Sequence, residues 1–144
     1  MNHMEAQEIA HQRGDASVRN QQCLHPREAV RAMLAALGRP VLLRAGAEGA
    51  YFVRSCDAVL SAPDTDPSYI PTPRVEAIDT NGAGDAHSGV LAASLAQGIP
   101  LKRALLLANC AGALSTTVVG PASCPPRDQI EAAADALEAS TCEA

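Results

Sequence analysis

The stretch from Asp79 to Asp85, DTNGAGD, constrains this chain more than any other feature because an apolar helical pattern follows it directly. Gly82, Ala83 and Gly84 have small or absent side chains, so backbone N–H groups can converge on an anion at the start of that helix. Asp85 adds a carboxylate at the same place, where it can accept a proton from a substrate hydroxyl. An anion site beside a base predicts phosphoryl transfer.

Asp85 also has a simpler interpretation. An aspartate near a helix N-terminus stabilises the helix by about 0.3–1 kcal/mol without any catalytic role. Stabilising a helix does not require the preceding Gly-Ala-Gly, however, so the catalytic interpretation is favoured.

The composition limits the classes of protein to which this chain can belong. The chain has 144 residues, of which 47% are hydrophobic and 19% charged, which predicts one globular α/β domain over residues 1–144. A net charge of -5, with 11 Lys and Arg in no dense cluster, predicts no nucleic-acid or anionic-membrane partner and favours a small-molecule substrate. No apolar run reaches the roughly 20 residues that span a bilayer, and the N-terminus lacks a secretory signal, so a cytoplasmic location is expected.

The first half of the chain contains a helix, two strands and a loop. A weak helical pattern covers Glu5–His11, and a clear one runs from Pro26 to a stop at Gly38. The runs Val41–Leu43 and Ala50–Val53 predict two strands joined by a tight turn. The four prolines between residues 61 and 73 predict a loop.

The second half is mainly helical. A short strand is predicted at Val75–Ile78, and helices at Gly84–Gln97 and Leu101–Thr117. A last helix follows Pro126, with residues 139–144 expected to fray. The small residue Gly112 would permit close approach of a neighbouring element. The order of these elements predicts an α/β layer with few strands.

The DTNGAGD stretch resembles the C-terminal signature of the ribokinase-like (PfkB) carbohydrate kinase family. RAGAEGA at 44–50 resembles the family's glycine turn beside the nucleotide, and ANCAGALSTTVVG at 108–120 resembles its adenine-side helix. These three motifs stand in the family's order. A weaker N-x-x-E match lies at Asn2–Glu5.

The resemblance implies a three-layer α/β/α sandwich of which this chain is the C-terminal portion, with an incomplete sheet. The N-terminal half of the family fold, which supplies most sugar contacts and the lid, is not matched, so the chain is expected to be truncated. A homodimer or a separate N-terminal half would then complete the sheet, and turnover by this chain alone is expected to be weak or absent.

The resemblance also assigns site residues. It implies that Asp85 is the catalytic base and that the amides from Gly82 to Asp85, including Ala83 and Gly84, form the anion hole. Gly46 and Gly49 would let the backbone approach ATP, and Asn109 would lie near the adenine. From the residues alone, a G-x-x-G turn equally fits a plain hairpin, and Asn109 a polar residue on a helix.

Two metal sites are implied by the same resemblance. Asn2 and Glu5 would hold Mg²⁺ through water. The positions matching a monovalent-cation site, such as one for K⁺, are Asp79, Asn81, Ser115, Val118, Gly120 and Cys124. Asp79 equally fits a turn residue that bonds to its own backbone.

His87 stands where the family usually has an aromatic residue, and the simplest interpretation is a partly buried histidine with a backbone partner. The other histidines, His3, His11 and His25, are too scattered for a metal site. The five cysteines are widely spaced and predict reduced thiols.

The expected function is that of an ATP-dependent kinase acting on an alcohol of a sugar or sugar-like substrate. Two alternatives stay open: a non-catalytic fragment that binds a nucleotide or a partner, and a nucleoside or vitamin kinase of the same fold.

Overall fold

The first helix, α1, spans Pro26–Leu37 and begins where the sequence predicts. His25 precedes it, and its ring accepts a hydrogen bond from the Arg27 amide at 3.3 Å. Gly38 ends the helix in the left-handed region, with φ 61°, and its N–H donates to the Leu34 carbonyl at 2.8 Å. Proline at the start and glycine at the end are the boundary residues that helices favour.

The computed structural model describes residues 25–54, 66–121 and 123–142. The chain divides into two compact units, Met1–Tyr69 and Ile70–Ala144. The helix predicted at Glu5–His11 lies outside the described residues, and a single domain over residues 1–144 stays a prediction.

A β-hairpin follows α1 and confirms the predicted strand–turn–strand. Strand β1, Val41–Arg44, pairs antiparallel with β2, Ala50–Val53, through a short 3-10 turn at Gly46–Glu48. Alternate residues of β1 are buried, which is the period of two expected of a strand with one face in the core. The core of this unit joins α1 to the hairpin and comprises Ala29, Val30, Met33, Val41, Leu43, Tyr51 and Val53.

A third strand, β3, spans Ser68–Ile70 and lies at one edge of the sheet, in the order β1-β2-β3. The prediction of a loop throughout 61–73 is therefore wrong at these three residues. Pro67 and Pro71 flank the strand directly. Edge strands tolerate nearby proline because a missing N–H on the open side breaks no ladder, which explains how a proline-rich segment still pairs.

The strand predicted at Val75–Ile78 is wrong, because these residues lie outside any strand. The Ile78 and Asp79 amides instead donate to the Thr116 carbonyl at 2.7 and 3.0 Å. Val75 has the β-branched character of a strand residue, but Ile78 is 65% exposed. A local apolar run cannot show whether a neighbouring strand is there to receive its hydrogen bonds.

The second unit contains three helices. Helix α2 spans Ala83–Ala96, α3 spans Leu101–Ser115 and α4 spans Arg127–Cys142. These confirm the three predicted helices within two residues at most boundaries. The expected fraying from 139 is wrong for residues 139–142, which continue α4.

Helix α3 is the centre of this unit, with an unbroken buried run from Ala104 to Ala111. Its Gly112 permits the close approach that the sequence predicts: an added Cβ would lie 3.2 Å from the Ala83 carbonyl oxygen of α2. On its other side, Arg103 pairs with Asp135 and Glu138 of α4 at 2.5 and 2.9 Å. The first turn of α2 is thus packed directly on α3.

Candidate active site

The DTNGAGD stretch forms the turn that leads into α2, and Asp79 ties this turn together. One carboxylate oxygen of Asp79 accepts the Asn81 amide at 3.0 Å, and the other accepts the Gly120 amide at 2.9 Å. These two N–H donors stabilise the charged carboxylate, so the pKa of Asp79 is lowered from its ordinary value of 3.8. Asp79 is a turn residue bonding to its own backbone, and it also holds the loop that follows α3.

Gly82 is the residue immediately before α2, and both its backbone angle and its surroundings disfavour a side chain. Its φ is 80°, in the left-handed region. A Cβ at this position would lie 2.1 Å from the backbone oxygen of Pro121, far inside contact distance. The turn therefore needs glycine both for its backbone angle and for the space that the 120–121 loop occupies.

The amides of this turn are used unequally. The Asp85 amide donates to the Gly82 carbonyl at 3.0 Å, and the Ala83 amide makes a longer bond of 3.3 Å to the Thr80 carbonyl. The Gly82 amide has no acceptor within the part of the chain that the structure describes. Of the four amides expected to form an anion hole, that of Gly82 is thus a donor able to take a new acceptor.

Asp85 is the third residue of α2, and its side chain is exposed. Across residues 25–54, 66–121 and 123–142, its carboxylate makes no hydrogen bond or ion pair. Its place in the first turn of α2 also fits the simpler interpretation, in which a negative charge stabilises the helix N-terminus. The carboxylate stands beside the helix N-terminus, available to accept a proton.

His87 and Asn109 form a buried polar pair behind this turn. The two side chains are 4% and 6% exposed, and His87 Nε2 lies 3.1 Å from Asn109 Oδ1. Asn109 Nδ2 donates to the carbonyls of Ile70 and Pro71 at 3.0 and 2.9 Å. The described partner of His87 is thus a side-chain amide, while the expected backbone partner and the role of Asn109 beside adenine stay predictions.

The other expected nucleotide residues, Gly46 and Gly49, lie in the first unit at the β1–β2 turn. Both have positive φ, 59° and 88°, and the Gly49 amide donates to the Gly46 carbonyl at 3.1 Å. The Ala45 amide donates to the Gly49 carbonyl at 2.8 Å, which closes the hairpin. This geometry fits the plain hairpin interpretation fully, and nucleotide contact remains a prediction.

The expected monovalent-cation positions surround the loop after α3. The Ser115 carbonyl accepts the Ser123 hydroxyl at 2.8 Å, Val118 is exposed, and the Cys124 thiol lies 3.8 Å from the Pro125 carbonyl oxygen. The Asp79–Gly120 hydrogen bond joins two further members of the set directly. Asn2 and Glu5, the expected magnesium residues, lie outside the described residues.

The described part of the chain contains no group of three or more His, Cys, Asp or Glu side chains able to hold a metal, and no helix in it is long and apolar enough to cross a membrane. Cys110 and Cys124 are both free thiols, and burial raises the pKa of Cys110 to about 11. That shift keeps Cys110 protonated and unreactive at neutral pH.

Sequence reasoning missed the part that Thr116, Pro121 and Ser123 play in shaping the site. Thr116 and Pro121 act through backbone carbonyls, which carry no side-chain signal. Ser123 lies eight residues beyond its acceptor, in a loop whose course the sequence does not show. Gly120-Pro121 predicted only the end of a helix, whereas the structure places this pair against Asp79 and Gly82.

Comparison with known proteins defines the class. The pfkB family carbohydrate kinase model matches residues 1–128, and the chain belongs to this family. Among curated relatives, the bifunctional protein HldE of Acidiphilium cryptum is 39% identical over 102 residues, which are 70% of this chain and 21% of that protein. HldE of Rhodospirillum rubrum is 37% identical over 95 residues, 65% of this chain and 19% of that protein.

Solved structures show the ribokinase-like fold. Ribokinase from Thermotoga maritima matches with a TM-score of 0.70 and 26% identity, over 91% of this chain and 39% of that one. A putative ribokinase from Agrobacterium tumefaciens matches with a TM-score of 0.76 and 23% identity, over 96% of this chain and 40% of that one. The chain therefore spans about two fifths of these structures and about a fifth of the HldE proteins.

Proposed function

We propose that this chain carries the catalytic part of an ATP-dependent kinase that transfers a phosphoryl group to an alcohol of a sugar or sugar-like molecule. One observation carries the proposal: the exposed Asp85 carboxylate, which has no partner among the described residues, lies in the first turn of α2, three residues after a glycine whose amide has no described acceptor either. Family membership supports the same reaction class.

In the proposed reaction, Asp85 accepts the proton of the acceptor hydroxyl as that oxygen bonds to the γ-phosphorus of ATP and the bond to the leaving ADP breaks. The Gly82 N–H donates to the phosphoryl oxygens, and the α2 dipole favours their negative charge. Mg²⁺, when bound, neutralises phosphate charge. Such catalysis depends strongly on alignment, so the placement of Asp85 matters as well as its basicity.

The cofactor assignments belong to the same proposal. Gly46, Gly49 and Asn109 would lie near ATP, while Asn2 and Glu5 would hold Mg²⁺ through water. The loop joined by Asp79 would hold a monovalent cation through backbone carbonyls. Two similar solved structures support these ligands: a putative ribokinase II of Escherichia coli is in complex with ATP and Mg²⁺, and phosphofructokinase-2 of Escherichia coli is in complex with potassium.

The first experiment compares two aspartates. Asp85 and Asp128 are both exposed and both lie in the first turn of a helix, but only Asp85 follows the glycine turn. With ADP release measured over a panel of pentoses, hexoses, heptoses, their monophosphates and nucleosides, Asp85→Asn should lower kcat by about 100-fold or more, as expected for loss of a general base. Asp128→Asn should leave kcat unchanged. Equal and measurable rates of ADP release in both variants would contradict the assignment.

The second experiment separates turnover from binding. If ATP and Mg²⁺ bind the folded chain, they stabilise it by about 2.7 kcal/mol at a ligand concentration 100 times Kd. Stabilisation together with ADP release supports a kinase. Stabilisation without ADP release on any acceptor supports the alternative of a non-catalytic nucleotide-binding fragment, and the absence of both contradicts the proposed function for this chain.

A further inference from the structure

The hydrogen bonds of the buried pair His87 and Asn109 determine the orientation of the Asn109 side-chain amide. Asn109 Nδ2 lies 3.0 and 2.9 Å from the carbonyl oxygens of Ile70 and Pro71. A flipped amide would place its oxygen against these two acceptors, so Nδ2 must face them and Oδ1 must face His87. Because Oδ1 only accepts, His87 Nε2 must carry a proton and donate it.

The pair also joins the backbone elements that define the site. His87 lies on α2 two residues after Asp85, and Asn109 lies on α3. Their packing is tight, since a Cβ added at Gly112 of α3 would lie 3.4 Å from His87 Cβ. The carbonyls of Ile70 and Pro71 belong to the segment that leads towards Asp79.

We propose that His87 and Asn109 are positioning residues that fix the first turn of α2, and hence the Asp85 carboxylate, against α3 and the Ile70–Pro71 backbone. The role assigned to Asp85 rests on the proposed function, whereas the fixing of the turn does not. Neither side chain touches the reacting atoms. A buried hydrogen bond from a ring N–H is directional, so it defines the rotation of α2 about its own axis. Apolar contact alone does not define that rotation.

Three substitutions test the pair. His87→Phe keeps a ring but removes the N–H donor, while His87→Gln places an amide N–H close to the position of Nε2. Ser94→Ala is the control, because Ser94 is the other buried residue of α2 and lies two turns further along. If His87 merely filled space, the phenylalanine would preserve the site better than the glutamine.

The first readout is NMR of the 144-residue chain and needs no activity. We expect a proton bonded to His87 Nε2 that exchanges slowly with solvent in the native chain. We expect the backbone amide signals of Gly82–Asp85 to move in His87→Phe, to return towards their native positions in His87→Gln, and to stay in place in Ser94→Ala. An Nε2 without a proton, or unmoved amide signals in folded His87→Phe, would overturn the proposal.

The second readout is kinetic. His87→Phe should lower kcat by about tenfold to a hundredfold through misplacement of Asp85, with KM for ATP little changed, and His87→Gln should recover most of the turnover. Equal loss in all three variants would show a purely structural role and contradict positioning. If the native chain releases no ADP, the kinetic readout has no reference rate, and the NMR result alone decides the positioning pair. If His87→Phe does not fold, the native Nε2 proton and the His87→Gln amide signals decide it.

Discussion

Two glycine turns, one in each unit, look alike in sequence but differ in what they require. Gly46 at the β1–β2 turn and Gly82 at the start of α2 both have positive φ, 59° and 80°. A Cβ at Gly46 would meet nothing within 4 Å, whereas a Cβ at Gly82 would meet the Pro121 oxygen at 2.1 Å. Gly46 is needed for its backbone angle alone, but Gly82 is needed for that angle and for space. Close tertiary approach, rather than turn geometry, distinguishes the candidate active site from an ordinary hairpin.

Among the substitutions that test the difference between the two turns, Gly82→Ala should have the largest effect. The left-handed conformation and the clash with Pro121 together should lower the free energy of unfolding by about 2–5 kcal/mol. Urea unfolding followed by helical circular dichroism measures this loss, because α2, α3 and α4 lie in the second unit. A loss below that of Gly46→Ala would contradict the crowding at Gly82.

The next effect concerns Asp79, whose carboxylate holds the 120–121 loop against Gly82 through the Gly120 amide. Its folded pKa is lowered, so its contribution to stability is present above the unfolded value of about 3.8 and is lost as the pH falls through the folded value below it. Asp79→Asn should therefore lower stability at neutral pH and flatten the decline of stability in acid, as measured by thermal unfolding between pH 2 and 7.

A double-mutant cycle tests whether Asp79 holds the Pro121 backbone against Gly82. With the loop released by Asp79→Asn, adding Gly82→Ala should cost less than it does alone, because the Pro121 backbone is then free to move away. Asp128→Asn, which touches neither loop, should not change that cost. Strict additivity of the Asp79 and Gly82 substitutions would show that the carboxylate does not hold the loop in place.

Gly46→Ala should have a smaller effect, of about 1 kcal/mol, because only the left-handed φ is strained. The two tyrosines of the chain, Tyr51 and Tyr69, lie in the first unit, and there is no tryptophan. Tyrosine fluorescence during urea unfolding thus follows the unit that contains this substitution. A loss as large as that of Gly82→Ala would indicate an unrecognised close contact at the hairpin.

The smallest effect is expected at the helical glycines. Gly89 lies inside α2 with open space around an added Cβ, so Gly89→Ala should stabilise the chain by about 0.5–1 kcal/mol. Gly112→Ala gains the same helix propensity but places a methyl group 3.2 Å from the Ala83 oxygen, so it should stabilise less or destabilise. Equal gains in unfolding midpoint would show that α2 and α3 separate freely at this contact.

Much of the fold could be predicted because the relevant signals are local. Pro26 and Gly38 bound α1 correctly, and the apolar runs around Gly46–Gly49 gave the hairpin. The strand prediction failed at Val75–Ile78 and missed β3, because a strand exists only where another strand offers its hydrogen bonds. Those partners are remote in the chain, and no local pattern records them.

In the candidate site, too, local features could be predicted from the sequence and contacts between remote residues could not. The sequence by itself determined the glycine turn, the carboxylate at Asp85 and the helix behind them, since these follow from residue type and spacing. Only the tertiary structure decided that Pro121 closes on Gly82, that Asp79 binds the Gly120 amide, and that His87 donates to Asn109. These contacts join residues 22 to 41 positions apart, and two of the three involve backbone groups that every residue shares. The residue types alone therefore do not show which of these groups meet, and the packing of the chain around α3 decides it.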